Sequence, residues 1–248
     1  MNNYLRYITL FLLTLPLHLH AAEDEEIRVL FVGNSYTYYW NMPLQVTLMA
    51  DSLGKKVFTK QSTVGSSNLE EHWKGERETQ TRAIIEQGDW DFVVLNNHSL
   101  SAKDTPESFR EYGLKFAKLI KQTGAKPVFY MTWPRKHNRL MLKTISESYR
   151  EIANASAAEL VAVGELWNKS ISLHPEKNLY ARDESHPSPQ GSYLAALAFT
   201  KFFTGLSVQE VPDKLFIKDA NGDKLYIAIM DENNGAYFRD LVDSWAIK

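Results

Sequence analysis

From residue 27 onward, short apolar runs alternate with longer segments whose apolar residues recur every three or four positions. Arg28-Val-Leu-Phe-Val32 is a compact apolar run ending at Gly33, the pattern of a buried strand. Pro43 opens the next segment, with Leu44, Val46, Leu48, Met49 and Leu53 apolar and Gly54 just beyond. Pro near the start and Gly past the end mark a helix. Lys56–Lys60 reads as a second strand, Thr79–Glu86 as a helix stopped by Gly88, and Phe92–Leu95 as a third strand. Thr105-Pro106 starts a helix reaching about Gln122, with Gly124 after it. Pro127–Thr132 is a fourth strand, a helical pattern runs from about Arg139 to Ala158, and Leu160–Val163 is a fifth strand. Pro189–Phe203 is an apolar helix whose Ala195, Ala196 and Ala198 allow close packing on a sheet. Such alternation predicts an α/β fold, a parallel sheet covered by helices on both faces. The tail differs: Leu215–Ile217 and Leu225–Ile229 flank the polar turn Asp219–Asp223, a short hairpin-like extension. Asp219, Asn221 and Asp223 lack the other ligands of a calcium loop, so they read as turn residues.

Residues 1–22 stand apart from this pattern. Arg6 precedes a nearly continuous apolar stretch from Ile8 to Leu19, and Ala21-Ala22 offers small residues for cleavage, the layout of a secretory signal peptide. The stretch is shorter than the ~20 residues of a spanning helix. An uncleaved anchor is the competing reading. The expected organisation is a signal peptide at 1–22 and one domain at 23–248, placed outside the cytoplasm, secreted or periplasmic. Its removal leaves 27 basic against 30 acidic residues, a formal charge of −3. That balance argues against nucleic acid as a partner. With no cysteine, there is no disulfide scaffold, zinc ribbon, thiol chemistry or lipid-modified cysteine.

Chemistry-bearing residues fall where the predicted strands end, which is where open parallel sheets bind ligands. Gly33-Asn-Ser35 follows the first strand, so Ser35 is placed to offer a hydroxyl and a backbone amide to a cleft. On its own it reads better as a turn or helix cap. Asp183-Glu-Ser-His186 lies just before the last apolar helix, and in a loop that spacing lets the carboxylate hold the imidazole for general-base work. A polar surface loop is the alternative. Gly65 and the Asn96-Asn97 pair follow the second and third strands, where a neutral donor to an oxyanion is wanted; turn formation accounts for both equally well.

Taken together, these segments resemble the SGNH (GDSL-type) hydrolase superfamily over almost the whole chain after residue 22. Val32-Gly-Asn-Ser35 matches its block I, Gly65 its block II, and Asp183-x-x-His186 its block V. The resemblance implies a three-layer flavodoxin-like fold with a five-stranded parallel sheet, Ser35 as nucleophile, His186 as base and Asp183 as orienter. It also implies an oxyanion hole of Ser35, Gly65 and a block III residue. Asn34 stands where Asp is commonest, and the Gly-x-Asn-Asp of block III is replaced by Leu95-Asn-Asn-His-Ser99. Asn96 is the expected third donor, with Asn97 in reserve.

The expected activity is ester hydrolysis through an acyl-enzyme, needing neither metal nor organic cofactor, on a small-molecule or glycan ester and most of all on acetylated extracellular carbohydrate. Acyl transfer by the same triad and a non-catalytic glycan-binding domain are the alternatives. No stable membrane insertion is expected after cleavage, and the sequence leaves the oligomeric state open. His72 and Trp73 beside Glu70-Glu71 read as a solvated helical turn, and His137 in Arg135-Lys-His-Asn-Arg139 as a solvated basic loop. His98, near the proposed donors, either lines the cleft or sits in an ordinary polar loop. Glu165 and Trp167 follow the fifth strand within reach of the cleft, though a core role suits Trp167 better. Tyr36, Tyr38, Tyr39 and Trp40 form either a stacking platform at the cleft mouth or part of the core.

Overall fold

The computed structural model describes residues 26–245. The proposed signal peptide at 1–22 lies outside the described residues. Within them the chain runs β1 (Ile27–Gly33), α1 (Ser35–Tyr38), α2 (Met42–Ser52), β2 (Val57–Thr63), α3 (Leu69–Lys74), α4 (Thr81–Gln87), β3 (Phe92–Leu95), α5 (Ser101–Asp104) and α6 (Pro106–Gln122). It continues with β4 (Lys126–Tyr130), α7 (Met141–Ser156), β5 (Glu159–Val161), α8 (Val163–Leu173), α9 (Pro189–Thr204), β6 (Lys214–Lys218), β7 (Lys224–Ile229) and α10 (Glu232–Asp243). Strands β1–β5 form one parallel sheet in the order β2-β1-β3-β4-β5. This is the flavodoxin-like order, and its switch point lies between β1 and β3. Ser35 and the Asn96–Ser99 segment emerge there.

Both faces of β1, β3 and β4 are buried, which is why they read as continuous apolar runs, whereas the edge strand β2 is mixed in sequence and largely exposed. Val29 and Phe31 of β1, Val94 of β3 and Val128 and Tyr130 of β4 face a core built with α2, α8 and α9. Leu30, Val32, Val93, Leu95 and Phe129 point the other way, against α4, α6 and α7. The two-residue period of a strand thus feeds two cores at once. Helix α9 is buried nearly all round, consistent with its apolar sequence. Strands β6 and β7 pair antiparallel, and the hairpin lies against α2 and α9. Asp219 Oδ1 accepts the Asn221 and Asp223 amides at 2.9 Å each, the turn chemistry expected of that segment. Among the described residues no helix is long and apolar enough to cross a membrane.

The fifth strand is shorter than the apolar run Leu160–Val163 implied. The Gly164 amide donates to the Met131 carbonyl at 2.9 Å, and a Cβ at residue 164 would run into the Thr132 carbonyl. The chain therefore turns into α8 at Val163, with its backbone pressed against the end of β4.

Candidate active site

Three loops at the carboxyl ends of the strands meet around Ser35. The residue begins α1 directly after β1, and Asn34 caps that helix by accepting the Tyr36 amide at 3.0 Å. Asn34 Nδ2 also donates to the carbonyls of Ser67 (2.9 Å) and Asn97 (3.2 Å). One amide side chain thus joins the loops after β1, β2 and β3. A carboxylate there would face two carbonyl oxygens without a proton to share, so Asn suits this scaffold where Asp would not.

Behind the turn sits His72. The expectation of a solvated helical turn does not hold for it, because the ring is buried. Its Nε2 lies 3.0 Å from the Gly33 carbonyl and 2.9 Å from Ser67 Oγ, and its Nδ1 lies 2.7 Å from Thr81 Oγ1. Burial pushes its pKa down. A neutral ring donating from Nε2 and accepting at Nδ1 satisfies both ends and fixes the residue next to the Gly33–Ser35 turn.

The loop between α8 and α9 supplies the other half of the site. Tyr180 and Pro187 form an antiparallel bridge, and the Ala181 amide donates to the His186 carbonyl at 2.8 Å. Trp133 Nε1 donates to the Ser185 carbonyl at 3.0 Å, and the Lys136 amide to the Glu184 carbonyl at 3.0 Å. Trp133 is itself held in a stack, with Tyr36 at 4.9 Å on one side and Trp167 at 3.8 Å on the other. The loop is therefore rigid where it carries chemistry. Ser35 Oγ lies 2.8 Å from His186 Nε2. His186 Nδ1 is bonded to Asp183 Oδ2, while Asp183 Oδ1 accepts the amides of Ser185 (3.0 Å) and His186 (2.9 Å). Partial burial raises the Asp183 pKa, but the His186 ring bond and the two amides outweigh it and hold the carboxyl at about 2. Tyr39 stacks on the imidazole at 4.4 Å.

The fold has counterparts among solved structures. A protein from Slackia heliotrinireducens described as a putative SGNH hydrolase is 29% identical, covers 72% of this chain and 100% of its own, and superposes with a TM-score of 0.61. This likeness and the five-stranded parallel sheet support placement of the chain in the SGNH (GDSL-type) hydrolase superfamily. An SGNH fold is also shared with a DUF4886 family protein from Bacteroides uniformis, at 15% identity, with 89% of this chain and 94% of that one covered and a TM-score of 0.71. An acetyl xylan esterase matches at 14% identity over 70% of this chain and 98% of its own, with a TM-score of 0.56. No family model matches the sequence, and no curated protein does so at a significant level.

A cavity of about 50 Å³ opens beside these three side chains, lined among others by Ser35, His186, Ser66, His98, Ser99 and Arg135. The Ser35 amide heads α1 and has no intrahelical partner. The loop after β2 brings Gly65 to the same end of the sheet, where a Cβ would come within 3.0 Å of Tyr38 Oη.

The expectation for Asn96 needs correction. The side chain is 0% exposed and is not part of the cavity lining. Its Oδ1 accepts from Thr37 Oγ1 at 3.2 Å and its Nδ2 donates to the Asn97 carbonyl at 3.1 Å. Asn97 does no better, because it too is buried and outside the cavity lining, with its Oδ1 accepting the Leu69 amide at 2.9 Å. Both asparagines brace the loops from inside rather than face the cleft. Glu165 is drawn away to Arg150 at 2.7 Å, Trp167 is core, and His137 is exposed outside the cavity. The aromatic cluster divides: Tyr36 is buried, Tyr39 covers His186, and Trp40 is 49% exposed while its indole N–H holds the Pro187 carbonyl at 2.9 Å.

Arg135 and Ser99 are the cleft residues that sequence reading missed. Arg135 lies in a run of basic residues that resembles a solvated loop. Its position a few residues past the carboxyl end of β4 was the available signal.

Proposed function

We propose that this SGNH hydrolase is an exported serine esterase that removes acetyl groups from an extracellular carbohydrate. The observation that carries the reading is the 2.8 Å contact between Ser35 Oγ and His186 Nε2, with Asp183 on the far ring nitrogen. In this reading His186 takes the Ser35 proton as Oγ attacks the ester carbonyl. The amides of Ser35 and Gly65 receive the oxyanion, and the protonated His186 returns its proton to the leaving alcohol. Water, deprotonated by His186, then releases the acid and restores Ser35. Asp183 stays ionised throughout and stabilises the imidazolium.

The size of the cavity supports a small acyl group. A cleft of about 50 Å³ beside Ser35 and His186 is small against a fatty-acyl chain, which favours a short acyl group. Half-exposed Trp40, whose indole N–H holds the Pro187 carbonyl next to His186, supports a sugar on the alcohol side, since aromatic faces stack on apolar sugar faces. The acetyl xylan esterase among the similar structures supports the same substrate class. Export rests on the leader at residues 1–22, with 23–248 as one catalytic domain. The test is a series of 4-nitrophenyl esters from acetate to decanoate beside acetylated xylan. The expected result is highest kcat/KM on acetate, a fall of tenfold or more by hexanoate, and acetate release from the polysaccharide. A preference for long chains would overturn the substrate assignment.

A further inference from the structure

The cleft contains a cation that the triad mechanism does not use. Arg135, on the loop after β4, lines the same cavity as Ser35 and His186. One Nη donates to Ser99 Oγ at 3.0 Å and the other to Ser185 Oγ, which is itself 2.6 Å from Tyr36 Oη. Both acceptors are neutral. Among the described residues no carboxylate lies within ion-pair distance of Arg135, whereas Arg28, Arg110, Arg150 and Arg239 each have one. The nearby Asp183 is already committed to the His186 ring and two backbone amides.

A guanidinium carries five N–H donors in a planar fork, and these two bonds leave the others available. Holding such a charge half-buried without a counter-ion is costly unless something else supplies the anion. The two hydroxyls fix the orientation of the fork in advance without neutralising it, which favours a ligand with matching geometry. The positive charge is felt inside the cleft. The pKa of His98 is pushed down by burial first and by Arg135 next, which leaves it neutral beside the guanidinium.

We propose that Arg135 is a specificity-determining residue that binds a carboxylate on the substrate, so that the cleft selects esters carrying a negative charge beside the scissile bond. The carboxylate is planar and takes two parallel N–H donors from one guanidinium. Two kinds of ester present it there: an acetylated uronic acid, with the charge on the alcohol side, and a dicarboxylic half-ester, with the charge on the acyl side. The kinetic form of this proposal rests on the esterase reading; its binding form does not.

Two matched pairs separate the sources. One compares O-acetylated galacturonic acid with its methyl ester, and the other compares 4-nitrophenyl hydrogen succinate with 4-nitrophenyl methyl succinate. In at least one pair the wild type is expected to favour the charged member by about 10- to 100-fold in kcat/KM, the range of one charge-assisted hydrogen-bonded contact. In Arg135→Gln the ratio should fall to about one, and in Arg135→Lys it should lie between, because charge remains but the fork is lost. Thermal melts establish that both variants are folded. Independently, calorimetry on Ser35→Ala protein should detect binding of galacturonate or succinate, weakened tenfold or more in Ser35→Ala/Arg135→Gln. A wild type that hydrolyses the neutral esters with no preference in either pair overturns the proposal, as does a preference that survives in Arg135→Gln. Equal losses on charged and neutral esters overturn it too, because Arg135 would then act on the reacting carbonyl. Carboxylate binding without turnover of any ester would sustain the proposal and defeat the esterase reading; neither binding nor turnover would defeat both.

Discussion

Replacing Gly33 by Ala adds one methyl group two residues before the nucleophile, and the structure fixes what that methyl meets. A Cβ at this position would lie 2.8 Å from both Cβ and Oδ1 of Asn96 and 2.9 Å from Thr37 Oγ1. Non-bonded carbons prefer about 3.5 Å or more, so something must move by roughly 0.7 Å. Neither neighbour has room, since Asn96 and Thr37 are both fully buried and bonded to each other. If the neighbours yield, the Asn96–Thr37 bond is strained and the loops lose their brace; overpacking of this kind costs about 1–3 kcal/mol. If the turn yields instead, Ser35 is displaced from His186. A 1 Å misplacement costs about 10²-fold in rate, so a shift of this size gives a loss of roughly 10- to 100-fold in kcat. Urea unfolding followed by circular dichroism measures the first effect. Hydrolysis of 4-nitrophenyl acetate, at a temperature where both proteins are fully folded, measures the second. Unfolding free energy unchanged within about 0.5 kcal/mol, with kcat unchanged, would refute the claim that the scaffold behind Ser35 is close-packed.

Three further outcomes are expected. Asn96→Ala should lower stability by about 1–3 kcal/mol by stranding its buried partners, with kcat/KM on folded protein within a few-fold of wild type; a loss of 10²-fold in kcat alone would return Asn96 to the oxyanion hole. The Asp183 carboxyl, held at about 2 against an ordinary value of 3.8, contributes stability that is fully present above about pH 4 and lost as pH falls through 2. Asp183→Ala should therefore flatten the acid limb of the stability curve in that window, and should cut kcat on the order of 10³-fold. Its side chain is half exposed, so the stability effect should be small. N-terminal sequencing of exported protein should read from Ala22 or Glu23, and an intact Met1 on membrane-bound material would revive the anchor.

The sheet was legible because each buried strand is a compact apolar run closed by Gly, Pro or a polar turn, and because α6 and α9 open on Pro. The meeting of Ser35, His186 and Asp183 was legible because Asp183-x-x-His186 carries two residue types and a spacing in one loop. What stayed hidden depends on neighbours distant in sequence. Val163 reads as strand because a four-residue apolar run has no period to distinguish it from a helix start; only the Thr132 carbonyl against Gly164 decides it. His72 reads as solvated because Glu70 and Glu71 flank it, yet a short helix turns those acids outward and the ring inward, to Gly33 and Thr81. Asn96 and Asn97 read as an alternating pair with one side chain in the cleft. Both side chains are instead buried, Asn96 bonded to Thr37 and the Asn97 carbonyl and Asn97 to the Leu69 amide. Arg135 was concealed by the charges around it, and its two serine partners come from other loops.

The central claim is that Ser35 is a nucleophile activated by His186, and covalent labelling tests it most directly. Purified protein treated with a fluorophosphonate should gain one adduct by intact mass, and peptide mapping should place it on Ser35. Ser35→Ala should gain none while giving the same circular dichroism spectrum, and should lose at least 10⁴-fold in ester hydrolysis. A folded wild type that takes no label, or a Ser35→Ala variant that still hydrolyses ester at the wild-type rate, would contradict the account.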